Sequence, residues 1–169
     1  MRIFLFALIS FLLSACWPSS ISFKDTGSMP EEWKTFSVKT LDNNAANCPL
    51  SYSPLLTEQI KDGIQNNTRL LLNTQIGKGE VNIEGNISSY NVAPLAIQGN
   101  DNASKNRLTI SVQFTINTTK PKEESFNLAS TRFADFDASV NLSSIESKLL
   151  EEINEQIVQD VINKLLSNW

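Results

Sequence analysis

Between Leu108 and Ile116 every second residue is apolar: Leu108, Ile110, Val112, Phe114 and Ile116 alternate with Thr109, Ser111, Gln113 and Thr115. Successive side chains of a strand point to opposite faces, so this stretch predicts a strand with one dry and one wet side. Near the end of the chain the period changes. Ile145, Leu149, Ile153, Ile157, Val161 and Leu165 recur every four residues; Leu150, Val158, Ile162 and Leu166 widen the stripe, and Glu151, Glu152, Glu155 and Asp160 face water. That pattern predicts a long amphipathic helix. Ser143 and Glu146 stand three apart at its start, the spacing at which hydroxyl and carboxylate each satisfy a backbone N–H.

The same two periods place the other elements. Trp33, Phe36, Val38 and Leu41 mark a first strand over 33–41, bounded by an Asp42-Asn43-Asn44 turn, and Ile21 and Phe23 alternate with polar residues in a shorter one before it. Leu55, Leu56, Ile60 and Ile64 predict a helix over 49–67, with Ser51 or Ser53 as its cap. A short apolar strand follows over 69–72 and exits toward Gly77 and Gly79. Val81, Ile83, Ile87, Tyr90 and Val92 carry a long strand, with Gly85 at a bend or bulge and Pro94 at its end. Phe126, Leu128, Phe133 and Phe136 give the last strand a partner across a hairpin turn over 118–124 that holds Pro121. Each element has one apolar face to bury. The predicted fold is therefore α+β: two helices packed on one face of a mixed, mostly antiparallel sheet, a two-layer α/β sandwich of order β-α-β-β-β-β-α whose other face is less covered.

Ahead of this domain, residues 3–13 are apolar but for Ser10 and follow the single positive charge of Arg2. About ten apolar residues are too few to span a bilayer but are the layout of a bacterial secretory signal. The segment closes with Leu13-Ser14-Ala15-Cys16, which resembles a lipobox. That resemblance implies an acylated Cys16 as the first mature residue and membrane anchor. The chain then divides into a signal over 1–15, a lipidated tether over 16–32 containing Pro18, Gly27 and Pro30, and a single domain over 33–169. Trp17-Pro18-Ser19-Ser20 puts no aspartate beside Cys16. By resemblance to lipoprotein sorting rules, this implies the outer membrane, lipid-anchored on the periplasmic side.

Composition narrows the chemistry. Fourteen basic against eighteen acidic side chains leave a net charge of −4, and Lys and Arg are scattered, so no basic face is offered to nucleic acid. The chain has no histidine. That removes the imidazole of the usual triads and the base that would activate Cys48, which reads as a quiet buried thiol. Neither a Gly-rich phosphate loop nor metal-spaced cysteines are present, and the expectation is a protein that is not an enzyme, with no metal and no cofactor beyond the lipid on Cys16. Asp135 and Asp137, two apart, share one side of a strand but read as turn and cap residues after it. Lys105, Asn106 and Arg107 lie where a loop over 98–104 enters the clearest strand, and Arg132 lies on its partner. Together they make a candidate basic spot for phosphates of an anionic lipid, since arginine offers phosphate oxygens a planar fork. The plainer reading is that they keep a strand edge soluble.

Several stretches are shared with a known family: Ser20-Ile21-Ser22-Phe23-Lys24, Ala93-Pro94-Leu95-Ala96-Ile97-Gln98-Gly99 before Asn106-Arg107-Leu108-Thr109-Ile110, Arg132-Phe133-Ala134-Asp135-Phe136-Asp137, and the final Asn168-Trp169. The chain resembles a divergent branch of the lipopolysaccharide-assembly lipoproteins, LptE. The resemblance implies a lipidated α/β sandwich that sits as a plug inside a large outer-membrane β-barrel, LptD, helps it assemble, and serves lipopolysaccharide transport without catalysis. A polar plug surface suits the wet lumen of such a barrel. Of the family's functional residues only Cys16 carries over; Lys105, Arg107 and Arg132 rest on the physical reading, with lipopolysaccharide as the anion it would serve. Two other classes stay open: a structural or pilot lipoprotein of another envelope secretion or assembly machine, and a small-molecule binding or hydrolytic module with a concave polar pocket.

Overall fold

The computed structural model describes residues 29–95 and 104–167. The elements run β1 (Thr35–Val38), β2 (Asp42–Asn43), α1 (Tyr52–Asn67), β3 (Leu71–Leu72), β4 (Val81–Leu95), β5 (Lys105–Thr118), β6 (Glu124–Asp137) and α2 (Leu142–Leu166). They form one six-stranded sheet of order β3-β1-β4-β5-β6, with β2 also against β4. β1 pairs parallel with β3 and β4, and β2 parallel with β4, whereas β4, β5 and β6 form an antiparallel meander. The sheet is thus mixed and mostly antiparallel, as expected, and both helices lie on one face. Here α1 lies against β1 and β3, and α2 against β6 and α1.

The core is the dry side of the alternation. Val81, Ile83 and Ile87 of β4 and Leu108, Ile110, Val112, Phe114 and Ile116 of β5 are buried against Leu56, Ile60 and Ile64 of α1 and Ile153, Ile157, Val161 and Leu165 of α2. Burying a side chain of this kind contributes roughly 1.5–3 kcal/mol, so this layer dominates stability. Leu55 departs from the predicted stripe and is 46% exposed, one position off the buried face of α1.

Local irregularities have local causes. The bulge in β4 falls between Ile87 and Ser89 rather than at Gly85, and the extra residue, Ser88, lets Ile87 and Tyr90 both face the core. Gly85 serves a different need. A Cβ there would lie 2.7 Å from a methyl of Leu41 and 2.8 Å from the Phe114 ring. Asp42-Asn43, read as a turn, instead continues the edge beside β4: Val38 pairs with Ile83 but Asp42 with Asn86, so one extra residue tips Leu41 into the space Gly85 leaves. The cap of α2 also differs from the Ser143–Glu146 box. Asn141 accepts from the Ser143 N–H at 3.1 Å, and Glu146 accepts instead from the Tyr90 hydroxyl. At α1 neither serine caps through its side chain; Ser51 occupies the cap position, and Ser53 donates to the Leu41 carbonyl.

The packed domain reaches back into the stretch read as tether. Met29 is buried, Arg69 donates to the carbonyls of Met29 and Pro30, and the Trp33 indole donates to the Lys120 carbonyl at 2.6 Å. Cys16, the alternation at Ile21 and Phe23, the loop over 98–103 and Trp169 lie outside the described residues. Among the described residues no helix is long and apolar enough to cross a membrane.

Candidate functional site

The wet side of the alternation is the face of β4, β5 and β6 that neither helix covers. Its side chains join across strands. Arg107 donates to both carboxylate oxygens of Asp135 at 2.7 and 2.9 Å, the Ser111 and Thr131 hydroxyls meet at 3.0 Å, and Thr115 donates to Asn127 Oδ1 at 3.3 Å. Each pair sits directly opposite in the β5–β6 register. Phe133 is the large apolar exception, 46% exposed, and the Arg107 guanidinium lies 3.6 Å over its ring. Asp135 holds the Arg107 guanidinium charged, and Arg107 in turn keeps the Asp135 carboxyl below its usual range.

The three cations proposed from the sequence do not come together. Lys105 and Arg107 point to the open face. Arg132 pairs in register with Ile110, a core residue, and therefore points to the helix layer, where it forms an ion pair with Asp160 of α2. Burial pushes the Asp160 carboxyl up, but hydrogen bonds from Arg132 and Ser130 outweigh it and hold it low. Arg132 is a strut between β6 and α2. The reason is strand alternation combined with register: Arg107 sits opposite Asp135, and Arg132, three residues before Asp135 on β6, falls on the other face.

The acid pair also separates by role. Asp135 belongs to the Arg107 ion pair, whereas Asp137 closes a turn by accepting from the Ser139 N–H at 2.8 Å and its hydroxyl at 2.6 Å. Among the described residues no group of three or more acidic or cysteine side chains is placed to hold a metal ion. Cys48 is half-buried, and burial pushes its thiol away from thiolate.

A groove of about 470 Å³ runs between the helices, lined by Tyr52, Leu55, Gln59, Glu146, Leu150 and Asn154 among others. Four of its polar side chains are bonded within the protein. The Tyr52 hydroxyl donates to Asn154 Oδ1 at 2.7 Å, Asn154 donates to Gln59 Oε1 at 2.6 Å, and Tyr90 donates to Glu146. Burial pushes both phenols up, so they act as fixed hydrogen-bond donors between the layers.

Partners that the sequence reading left out are Asp135, Phe133 and Asp160. A signal for Asp135 was present, since Arg107 and Asp135 lie equidistant from Pro121 in the hairpin turn. Asp160, on a distant helix, had none.

Comparison with known proteins extends the picture. The fold is similar to that of the hypothetical protein CT253 from Chlamydia trachomatis, with a TM-score of 0.56 and 11% identity over 80% of this chain and 99% of that one. It is similar also to protein XCC0632 from Xanthomonas campestris, with a TM-score of 0.54 and 9% identity over 87% and 91% of the two chains. No curated protein sequence matches. A family model described as lipopolysaccharide-assembly, LptE, matches residues 33–165, almost the whole of the described domain, and the chain therefore belongs to the LptE family of lipopolysaccharide-assembly proteins.

Proposed function

We propose that this protein is an outer-membrane lipoprotein that acts without catalysis in lipopolysaccharide transport and assembly, as plug and assembly partner of an LptD-like β-barrel. The family match over residues 33–165 carries the reading. The open face supports it: a sheet surface of Ser, Thr, Asn and Gln suits a polar, wet lumen better than an apolar partner. Lys105 and Arg107 are the proposed contacts for an anionic lipid on that face; Arg132 lies on the helix-covered face instead, where it bonds Asp160. Cys16 is the proposed lipid anchor, on the periplasmic side of the outer membrane.

The test is affinity purification of the C-terminally tagged protein from detergent-solubilised outer membranes, with mass spectrometry of what is retained. A large barrel recovered in stoichiometric amount is the expected result. Recovery alone, or with a secretion machine, overturns the plug reading in favour of a pilot or scaffold lipoprotein. Replacement Cys16→Ser is expected to move the protein from the membrane to the soluble periplasmic fraction; unchanged fractionation refutes the anchor.

A further inference from the structure

β6 is a bare edge. It ends the sheet on one side and runs for 14 residues without Pro or Lys, and its register against β5 is unbroken by any bulge from Glu124 to Asp137. Proline, lysine and bulges are the devices that blunt an edge; without them a row of backbone groups stands ready for another strand. The Ala138 N–H donates to the Ser104 carbonyl at 3.0 Å, so even-numbered residues of β6 turn their backbone groups toward β5 and odd-numbered ones turn them outward. Among the described residues nothing bonds the outward N–H and C=O groups of Asn127, Ala129 and Thr131. We propose that residues 20–24 of this chain, which lie outside the described residues, add to this edge as a strand antiparallel to β6.

Two observations carry it. The first is where the chain enters the domain. Met29 is buried, Arg69 holds the carbonyls of Met29 and Pro30, and Pro30 and Trp33 share a groove of about 390 Å³ with Glu124 and Phe126 at the start of β6. A segment just ahead of Met29 therefore meets the edge at its first residues, and because it runs toward that end it lies antiparallel. The five residues from Lys24 to Met29 reach roughly 17 Å when extended, more than three strand spacings. The second observation is the pattern. Ile21 and Phe23 alternate with Ser20, Ser22 and Lys24, which gives the segment one dry and one wet side. β6 offers the same two sides: Phe126 and Leu128, toward the helices, are only partly buried at the margin of the core, whereas Asn127 and Ala129 face the open side and are exposed. Ile21 and Phe23 beside them extend the dry layer, and the serines extend the wet face. That placement aims the backbone groups of Ser20, Ser22 and Lys24 at the outward groups of β6. The proposed anchor at Cys16, four residues before Ser20, is then held within roughly 15 Å of the sheet instead of at the end of a tether of roughly 45 Å.

The experiment is amide hydrogen exchange on the full chain, overproduced without a partner and purified in detergent, resolved to single residues by mass spectrometry. The amides of Asn127 and Ala129 are expected to exchange roughly tenfold or more slowly in the unaltered protein than in Ser22→Pro, which removes an N–H aimed at β6. Ser22→Ala keeps that N–H and is expected to leave the protection unchanged. Ile21→Asp, which puts a charge on the dry side, is expected to lose it. The amides of Leu128 and Ser130 are turned to β5 and should stay protected in every variant, which separates loss of the added strand from unfolding of the sheet. Equal exchange of Asn127 and Ala129 in the unaltered protein and in Ser22→Pro overturns the pairing. Protection that survives Ser22→Pro and rises with protein concentration assigns the edge to a second copy, and protection that appears only with a co-expressed barrel assigns it to that partner; either overturns the proposal. The exchange is read on the protein alone, so failure of the pairing is distinct from failure of the plug or anchor reading.

Discussion

The β5–β6 pair carries two arginine–aspartate pairs, one on each face, and they do different work. Arg132 and Asp160 tie the sheet to α2 on the covered face, with Ser130 as a third member. Arg107 and Asp135 lie on the open face, touch no helix and stack on an exposed ring. The chemistry is the same and the solvent differs. The difference lies in the carboxylates: Asp160 is 17% exposed and Asp135 31%, so loss of its arginine leaves Asp160 the less well solvated of the two. The ion pair on the covered face therefore joins two layers, and the one on the open face joins only two neighbouring strands.

The contrast between faces is broken most severely through the core. Ile110→Ala is expected to cost roughly 2–5 kcal/mol, because the side chain is fully buried between sheet and helices, whereas Thr109→Ala, its neighbour on the open face, should stay within about 0.5 kcal/mol. Urea unfolding of the two variants checks this, and similar midpoints would mean that the sheet is not one-sided.

A smaller effect separates the arginines. Arg132→Met leaves the Asp160 carboxylate of α2 with Ser130 as its remaining partner and is expected to cost roughly 1–3 kcal/mol. Arg107→Met should shift Tm less. The reverse order would erase the distinction between a pair that joins two layers and one that joins two strands.

The smallest effect lies where β1 meets the start of β4. The hydrogen bond from the Thr35 hydroxyl, joined by the Thr35 N–H, holds the Glu80 carboxyl at about 2. An unfolded glutamate titrates near about 4.3, so the unfolded chain takes up protons first and this stabilisation is complete above that pH. It drains as pH falls from about 4 toward about 2. Thr35→Val is expected to cost roughly 1 kcal/mol at neutral pH and to flatten the acid limb of stability against pH. An unchanged limb in that variant would assign the acid sensitivity to Asp160 and Asp135, both of which are also held below their usual range.

Much of the fold is legible in the chain because apolar periodicity is a local signal. The Leu108 to Ile116 alternation and the stripe from Leu149 to Leu165 map directly onto β5 and α2, since each residue's face follows from its position in the element. The site was less legible. Arg132 was grouped with Lys105 and Arg107 by charge, although folding the two strands about Pro121 sets Arg132 opposite Ile110 and so on the dry side. Glu146 has cap spacing, but Asn141 takes the cap and the Tyr90 hydroxyl takes Glu146. Nothing near Glu146 in sequence announces a tyrosine on β4.

By itself the sequence determined the two helices and the strands of the described domain other than β2, that one side of the sheet is dry and the other wet, and the family stretches that point to lipopolysaccharide assembly. Those properties depend on neighbours two to four residues apart. Tertiary structure alone decided that β1 and β2 run parallel beside β4, that Gly85 leaves room for Leu41, and that Asp160 claims Arg132 while Asp135 claims Arg107. Each of these depends on which residues distant in the chain meet across a sheet or between layers, and there packing and charge choose among several partners that local pattern leaves equally good.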